Sequence, residues 1–164
     1  MLVVALGLFA VGATFGARVQ VGEAEPGSPL LFPTHDYNVS SKAINPRFPG
    51  SEELYIVART ADKGGLKRPE VLHALEDFQN HMLHDPALGG AKGLPGLVRA
   101  VNSLTHNTDP RWSQIPDTAA EVGGLMFAYM AASPIPGALK EFLNPEETEA
   151  NLVFFYKDHQ AGTI

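Results

Sequence analysis

The chain has 164 residues, of which 45% are hydrophobic and 18% charged, and its formal net charge is −6. This length is enough for one domain with a buried core, and the composition is not that of a disordered protein. No run of Lys or Arg interrupts the acidic balance, so a nucleic-acid partner is not expected, because phosphate binding needs a basic surface. The absence of cysteine excludes disulfides, thiolate nucleophiles and cysteine-ligated zinc.

Residues 1–17 form an uncharged apolar segment, MLVVALGLFAVGATFGA. As a helix it would extend roughly 25 Å, slightly short of the ~20 residues that cross a bilayer. Three interpretations are open: the outer part of a transmembrane helix, a signal peptide without the usual basic start, or a buried core helix. The transmembrane interpretation is the leading one. Either of the first two places the chain from about residue 18 onward on the extracytoplasmic, periplasmic side of an inner membrane.

Residues 18–50 are rich in Pro and Gly, which predicts an extended connector with a short helix between Tyr37 and Ile44. Residues 51–164 then contain the regular elements. Residues 53–59 (ELYIVAR) have the composition of a strand with Leu54, Ile56 and Ala58 on one face.

A helix is predicted to begin at Pro69 and to end near His84, because apolar residues follow at helical spacing and Asp85-Pro86 stops it. Residues 87–93 (ALGGAKG) are a weak edge strand or a loop, and their glycine run favours a flexible turn because it lacks the ending of a phosphate-binding loop. The remaining predictions are a helix at 94–104, a turn around Trp112, a helix capped by Asp117 and ending near Ala131, a short helix ending near Leu143, and a strand at 151–157.

Residues with chemical potential occur in three groups. His73, Asp77, His81 and His84 share one face of the first long helix, and imidazole and carboxylate groups bind zinc. His73 and His81 are about 12 Å apart, so one ion could use only a subset such as Asp77, His81 and His84, and a solvated face is favoured. A solvated loop is likewise favoured for Glu146, Glu147 and Glu149, and a polar strand exit for Asp158-His159. We therefore predict no catalytic, metal or cofactor-binding residue, no cofactor and no enzymatic activity.

Several segments, taken in order, resemble the resistance-nodulation-division (RND) exporters, in the branch of predicted hydrophobe exporters related to the mycobacterial large membrane proteins. The resemblance covers nearly the whole chain. Its segments, after the apolar helix, are Pro26-Gly27-Ser28-Pro29-Leu30-Leu31, His35-Asp36-Tyr37-Asn38, Phe48-Pro49-Gly50, Asp109-Pro110-Arg111-Trp112, Phe155-Tyr156-Lys157-Asp158-His159 and Thr163-Ile164.

The resemblance implies an extracytoplasmic porter-domain segment of a proton-driven exporter of lipid-like or hydrophobic compounds. The implied partners are the membrane, the remaining helices of the same transporter, a hydrophobic small-molecule or lipid substrate, and a second copy of the chain. The proton relay of the family lies in membrane helices, so it is assigned to no residue here. A secreted or periplasmic hydrophobe-binding protein with a signal peptide is the alternative, and a small secreted hydrolase is a remote third.

The implied fold is α+β, a partial ferredoxin-like (split βαβ) subdomain with a helical insertion at about 94–143. In that topology residues 53–59 and 151–157 are adjacent and antiparallel, and the strand after the first long helix is a weak edge strand near residues 88–92. A simple βαβ unit would instead make residues 53–59 and 151–157 parallel. The second helix and fourth strand of the unit would lie beyond Ile164. We therefore expect an unpaired edge at residues 53–59 that recruits other strands.

Overall fold

The computed structural model describes residues 2–19, 22–23, 27–157, 159–160 and 163, and within them the chain has an α+β architecture. The helices are α1 (Leu2–Gly16), α2 (Asp36–Ile44), α3 (Pro69–Met82), α4 (Leu94–Thr105) and α5 (Ala119–Ala132). The strands are β1 (Gly22–Glu23), β2 (Glu52–Arg59), β3 (Leu88–Lys92), β4 (Glu149–Tyr156) and β5 (His159–Gln160).

Strand β4 lies at the centre of a three-stranded sheet in the order β2-β4-β3. Both neighbours run antiparallel to it, with Tyr55 opposite Val153 on one side and Ala91 opposite Phe154 on the other. The predicted adjacency and antiparallel direction of residues 53–59 and 151–157 are thereby confirmed. Strands β2 and β3 are parallel to each other and separated by β4, and α3 is the connection between them. A separate two-stranded ladder joins β1 to β5.

The buried face of the sheet follows from the two-residue alternation of β4. Leu152 and Phe154 are 1% and 0% exposed and point towards the helices, where they form a cluster with Leu88. Helix α3 covers this face, and the ring of Phe78 meets Phe154 edge to face with centroids 5.8 Å apart. Leu75 of the same helix contacts both this cluster and the larger one between the helices.

The larger core lies among α3, α4 and α5. Leu72, Leu94, Val98 and Val122 are each at most 1% exposed, and each fully buried side chain of this kind contributes roughly 1.5–3 kcal/mol. Helices α4 and α5 occur between β3 and β4 in the sequence, in the region predicted as an insertion. This layer holds α3 against the sheet.

The glycine-rich segment is an edge strand of the sheet, as expected near residues 88–92, and not a flexible turn. It forms β3, with a register shift between Leu88 and Gly90 where it pairs with β4. At Gly89 and at Gly90 a Cβ would collide with Pro49. The glycines are therefore required by the close approach of another backbone segment.

Helix boundaries near residue 118 and residue 140 differ from the predictions. Thr118, and not Asp117, caps α5, because its hydroxyl accepts a hydrogen bond from the Glu121 amide at 3.2 Å. The predicted short helix before Leu143 is a 3-10 helix, Ala138–Glu141. The hydroxyl of Thr118 also contacts the Glu121 carboxylate at 2.8 Å, which adds a second link at the start of the helix.

Helix α1 spans 15 of the 17 residues of the apolar segment, and residues 3–16 are exposed. Among the residues described, no helix combines the length and the apolar character needed to cross a membrane. The expectation of a transmembrane-type helix is therefore not met by α1 as it stands. The connector at residues 18–50 is only partly extended, because it includes α2 and the 3-10 helix Asn45–Arg47.

Candidate functional site

A groove of about 290 Å³ lies between α2 and the start of β2. This volume is near the lower limit for pockets that hold small organic ligands. Apolar side chains dominate its walls, and serine hydroxyls provide the few polar groups. Its lining residues are Tyr37, Ser40, Ser41, Ile44, Asn45, Phe48, Gly50 and Ser51.

The groove has a floor that is fixed to the sheet. Asn45 is 6% exposed, and its side-chain amide donates a hydrogen bond to the Lys157 carbonyl just after β4. Gly50 has φ +139° and lies against the Tyr156 carbonyl, where a Cβ would not fit. The Oδ1 atom of Asn45 is buried without a hydrogen-bond partner among the described residues, which is costly for an amide oxygen. The contacts of Asn45 and Gly50 hold the end of α2 beside the end of β4, although the two segments are far apart in the sequence.

The walls of the groove leave large apolar side chains in contact with solvent. Tyr37 is 56% exposed, Ile44 52% and Phe48 61%, and α2 buries none of its residues. An apolar chain or ring laid in the groove would cover these surfaces and gain roughly 25 cal/mol per Å² of apolar area. The arrangement can bind a hydrophobic group, but its hydroxyl and amide groups do not form a catalytic set.

The histidine row lies on α3 and just beyond it, because the helix ends at Met82, two residues before the predicted His84. Its side chains are exposed, as those of a solvated face would be. His73, Asp77, His81 and His84 all lie in contact with solvent. The Nδ1 atom of His73 is 3.7 Å from the Glu76 carboxylate, and that of His84 is 2.8 Å from the Asn80 carbonyl. Over the part of the chain that is described, no three His, Cys, Asp or Glu residues are grouped closely enough to hold a metal ion.

Two of the three acidic residues after Pro145 pair with basic side chains. Glu147 contacts Lys67 at 2.7 Å, and Glu149 contacts Arg59 at 2.8 Å. The carbonyl of Glu146 accepts a hydrogen bond from the Gly64 amide at 3.4 Å. The contacts of Glu146 and Glu147 link the turn before β4 to the segment after β2, whereas Arg59 and Glu149 face each other across the two strands. His159 lies in β5, and Asp158 is outside the described residues.

Trp112 anchors the segment between α4 and α5, in the position where a turn was predicted. Its ring stacks on His106 with centroids 3.7 Å apart. Beside it, hydrogen bonds from the Arg111 guanidinium lower the pKa of Asp109, and the Asp109 carboxylate raises the pKa of Arg111. The buried Asn102 amide donates to the Gln114 carbonyl at 2.9 Å. The cluster borders an open surface depression of about 330 Å³ that is lined by Arg111, Trp112 and Gln114.

Sequence reasoning did not identify the α2 groove. Its residues form no motif, and they face one another only because Asn45 and Gly50 contact the backbone that follows β4. The short helix at residues 37–44 was a correct local signal, but nothing in it indicated which surface it would cover.

The chain matches no protein-family model, and searches of curated proteins and of solved structures also found no match.

Proposed function

We propose that this chain is an extracytoplasmic, porter-type segment of a membrane exporter of the RND superfamily, acting on lipid-like or hydrophobic compounds. The proposal rests on the ordered set of sequence segments that resemble the hydrophobe-exporter branch of that superfamily. In such a protein, the segment contributes to the substrate path and to conformational coupling. Proton translocation belongs to membrane helices, so no residue of this chain is given that role.

The strand order β2-β4-β3 is the observation that carries the proposal. The resemblance implies the first three strands of a ferredoxin-like unit, in which the third strand lies between the first two and runs antiparallel to both. The two pairings of β4 agree with that expectation. The position of α4 and α5 between β3 and β4 agrees with the expected helical insertion.

The apolar surfaces support the choice of substrate class. Helix α1 has no polar face, and the α2 groove offers Tyr37, Ile44 and Phe48 to a hydrophobic ligand. A lipid-like compound could be shielded from water by these apolar side chains. The net charge of −6 makes a large anionic polymer a poor partner.

A secreted or periplasmic hydrophobe-binding protein is the second candidate. The α2 groove favours it, because a groove of about 290 Å³ with apolar walls could hold part of an acyl chain without any transporter. In that function residues 1–17 would be a signal peptide. The two candidates differ in whether the chain stays attached to the membrane.

Cysteine labelling in intact bacterial cells distinguishes these possibilities, since the native chain has no cysteine. Leu104 is 64% exposed on α4, so Leu104→Cys provides a labelling site with little structural cost. We expect a membrane-impermeant maleimide to label this variant in intact cells, and the labelled protein to stay in the membrane after a carbonate wash. The cysteine-free native chain is the control.

Labelling that requires permeabilised cells would contradict an extracytoplasmic location. Labelling in intact cells followed by release into the soluble fraction would favour the binding protein. For the exporter itself, cells that express the complete gene product should accumulate less of a hydrophobic dye such as Nile red, and a protonophore should abolish the difference. Equal accumulation with and without the gene product would count against export of such compounds.

A further inference from the structure

Residues 28–35 form a loop that presents three consecutive hydrophobic side chains. Leu30 is 92% exposed and Phe32 81%, and Leu31 between them is 37% exposed. Single exposed hydrophobic residues are common on protein surfaces, whereas a contiguous apolar group marks a contact surface. Leu30, Leu31 and Phe32 are called the apolar loop tip below.

Asn38, in the first turn of α2, holds the loop in this conformation. Its Oδ1 accepts a hydrogen bond from the Ser28 amide at 2.8 Å. Its Nδ2 lies 3.1, 3.2 and 3.0 Å from the carbonyl oxygens of Ser28, Leu31 and Phe32, respectively. Gly27, with φ +124°, packs so closely on Asn38 that a Cβ would collide with it. The tip is therefore preorganised in an outward position.

Part of the loop backbone also forms hydrogen bonds within the loop. The Leu30 amide donates to the Ser28 hydroxyl at 3.3 Å, and the Leu31 amide donates to the Ser28 carbonyl at 3.2 Å. Pro29 and Pro33 have no N–H to satisfy. Unpaired backbone groups are costly in lipid, so a loop with internal hydrogen bonds loses less on leaving water.

The surroundings favour a lipid bilayer as the partner of the apolar loop tip. No Asp or Glu occurs between Gly27 and His35, although the whole chain carries a net charge of −6. Helix α1 ends at Gly16, a short distance earlier in the chain, and it has no polar face. A bilayer can accommodate both the apolar helix and the uncharged loop that follows it. We propose that Leu30, Leu31 and Phe32 insert into the interfacial region of a membrane and so fix α2 and its groove next to the bilayer.

This inference goes beyond the proposed function, because it concerns contact with lipid whatever the chain transports or binds. Brominated-lipid quenching of a single tryptophan tests it on the full chain. Phe32→Trp in a Trp112→Phe background places the probe at the tip. Ile135→Trp in the same background is the matched control, because Ile135 is 67% exposed and also lies between two prolines. Both proteins are reconstituted into vesicles of phosphatidylethanolamine and phosphatidylglycerol.

We expect blue-shifted emission and strong quenching for the probe at position 32, and neither for the probe at position 135. Adding Leu30→Ser should weaken insertion of the tip by about tenfold, because one large apolar side chain is lost from the contact. Leu30 is almost fully exposed, so this change leaves the fold intact. Asn38→Ala should also reduce quenching, because the tip loses its fixed position.

Equal quenching at positions 32 and 135 would overturn the proposal, since it would mean unspecific adsorption of the protein. Blue-shifted emission without bromine quenching would also overturn it, because a protein surface would then cover the tip. These vesicle results are independent of the labelling experiment on intact cells. Failure of lipid insertion can therefore be told apart from failure of the proposed exporter role.

Discussion

Replacing Phe154 by Ala tests which face of β4, the central strand of the sheet, is buried. Phe154 is 0% exposed at the centre of β4 and contacts the ring of Phe78 edge to face. Deleting a buried Phe side chain leaves a cavity and removes the aromatic pair, so we expect a loss of about 4 kcal/mol. For a chain of this size that corresponds to a fall in melting temperature of about 10 °C. Near-UV circular dichroism of the protein in a non-ionic detergent measures the transition.

Phe155→Ala is the matched control, because it makes the same chemical change one position along β4. Phe155 points to the opposite face and is only half-buried. Its removal leaves no enclosed cavity and should cost about 1.5 kcal/mol. Equal losses for the two variants, or a larger loss for Phe155→Ala, would refute the assigned register, because a shift by one residue exchanges the two faces.

The other predictions concern self-association, the apolar helix and metal binding. β2 lies at the edge of its sheet, with Tyr55 57% and Val57 53% exposed, so the protein should self-associate through this strand. Tyr55→Lys or Val57→Lys should shift it towards the monomer in analytical ultracentrifugation, whereas Leu104→Lys, with the same added charge elsewhere, should not. Full-length protein should partition with membranes or need detergent, because α1 is apolar on every side. A protein that is monomeric without detergent and whose residues 1–17 are protected from protease would contradict this. Micromolar zinc should leave the melting temperature unchanged, and a rise of several degrees that His81→Ala abolishes would disprove the interpretation of the histidine row as a solvated face.

The local pattern of the sequence located most elements of the fold. Strand β2 begins one residue before the predicted strand, and α3 begins at the predicted Pro69. The pairing of residues 53–59 with 151–157 was also expected, but only because of the resemblance to a family. Composition alone left parallel and antiparallel arrangements open, since both bury the same alternating side chains.

The errors occurred where a local signal competed with a distant contact. The glycine run at 89 and 90 by itself favoured a flexible turn, and only the family resemblance placed an edge strand there. The strand forms by pairing with β4, and the close approach of Pro49 explains the glycines. Asp117 and Thr118 are both good capping residues. Thr118 is the cap because α5 begins at the next residue, Ala119. In the Pro/Gly-rich connector the short helix was predicted within one residue, and only the 3-10 helix Asn45–Arg47 that follows it was not.

The residue pattern by itself determined the strands and helices with clear periodicity and the apolar character of residues 1–17, whereas the α+β class was expected from the family resemblance. Periodicity and apolar character depend on neighbouring residues, whose spacing can be read directly. Only the tertiary structure decided that Asn45 ties α2 to the end of β4 and that Asn38 holds the apolar loop tip outwards. An asparagine side chain can bond to almost any backbone group. Which one it meets depends on how distant segments pack, and no spacing in the sequence records that.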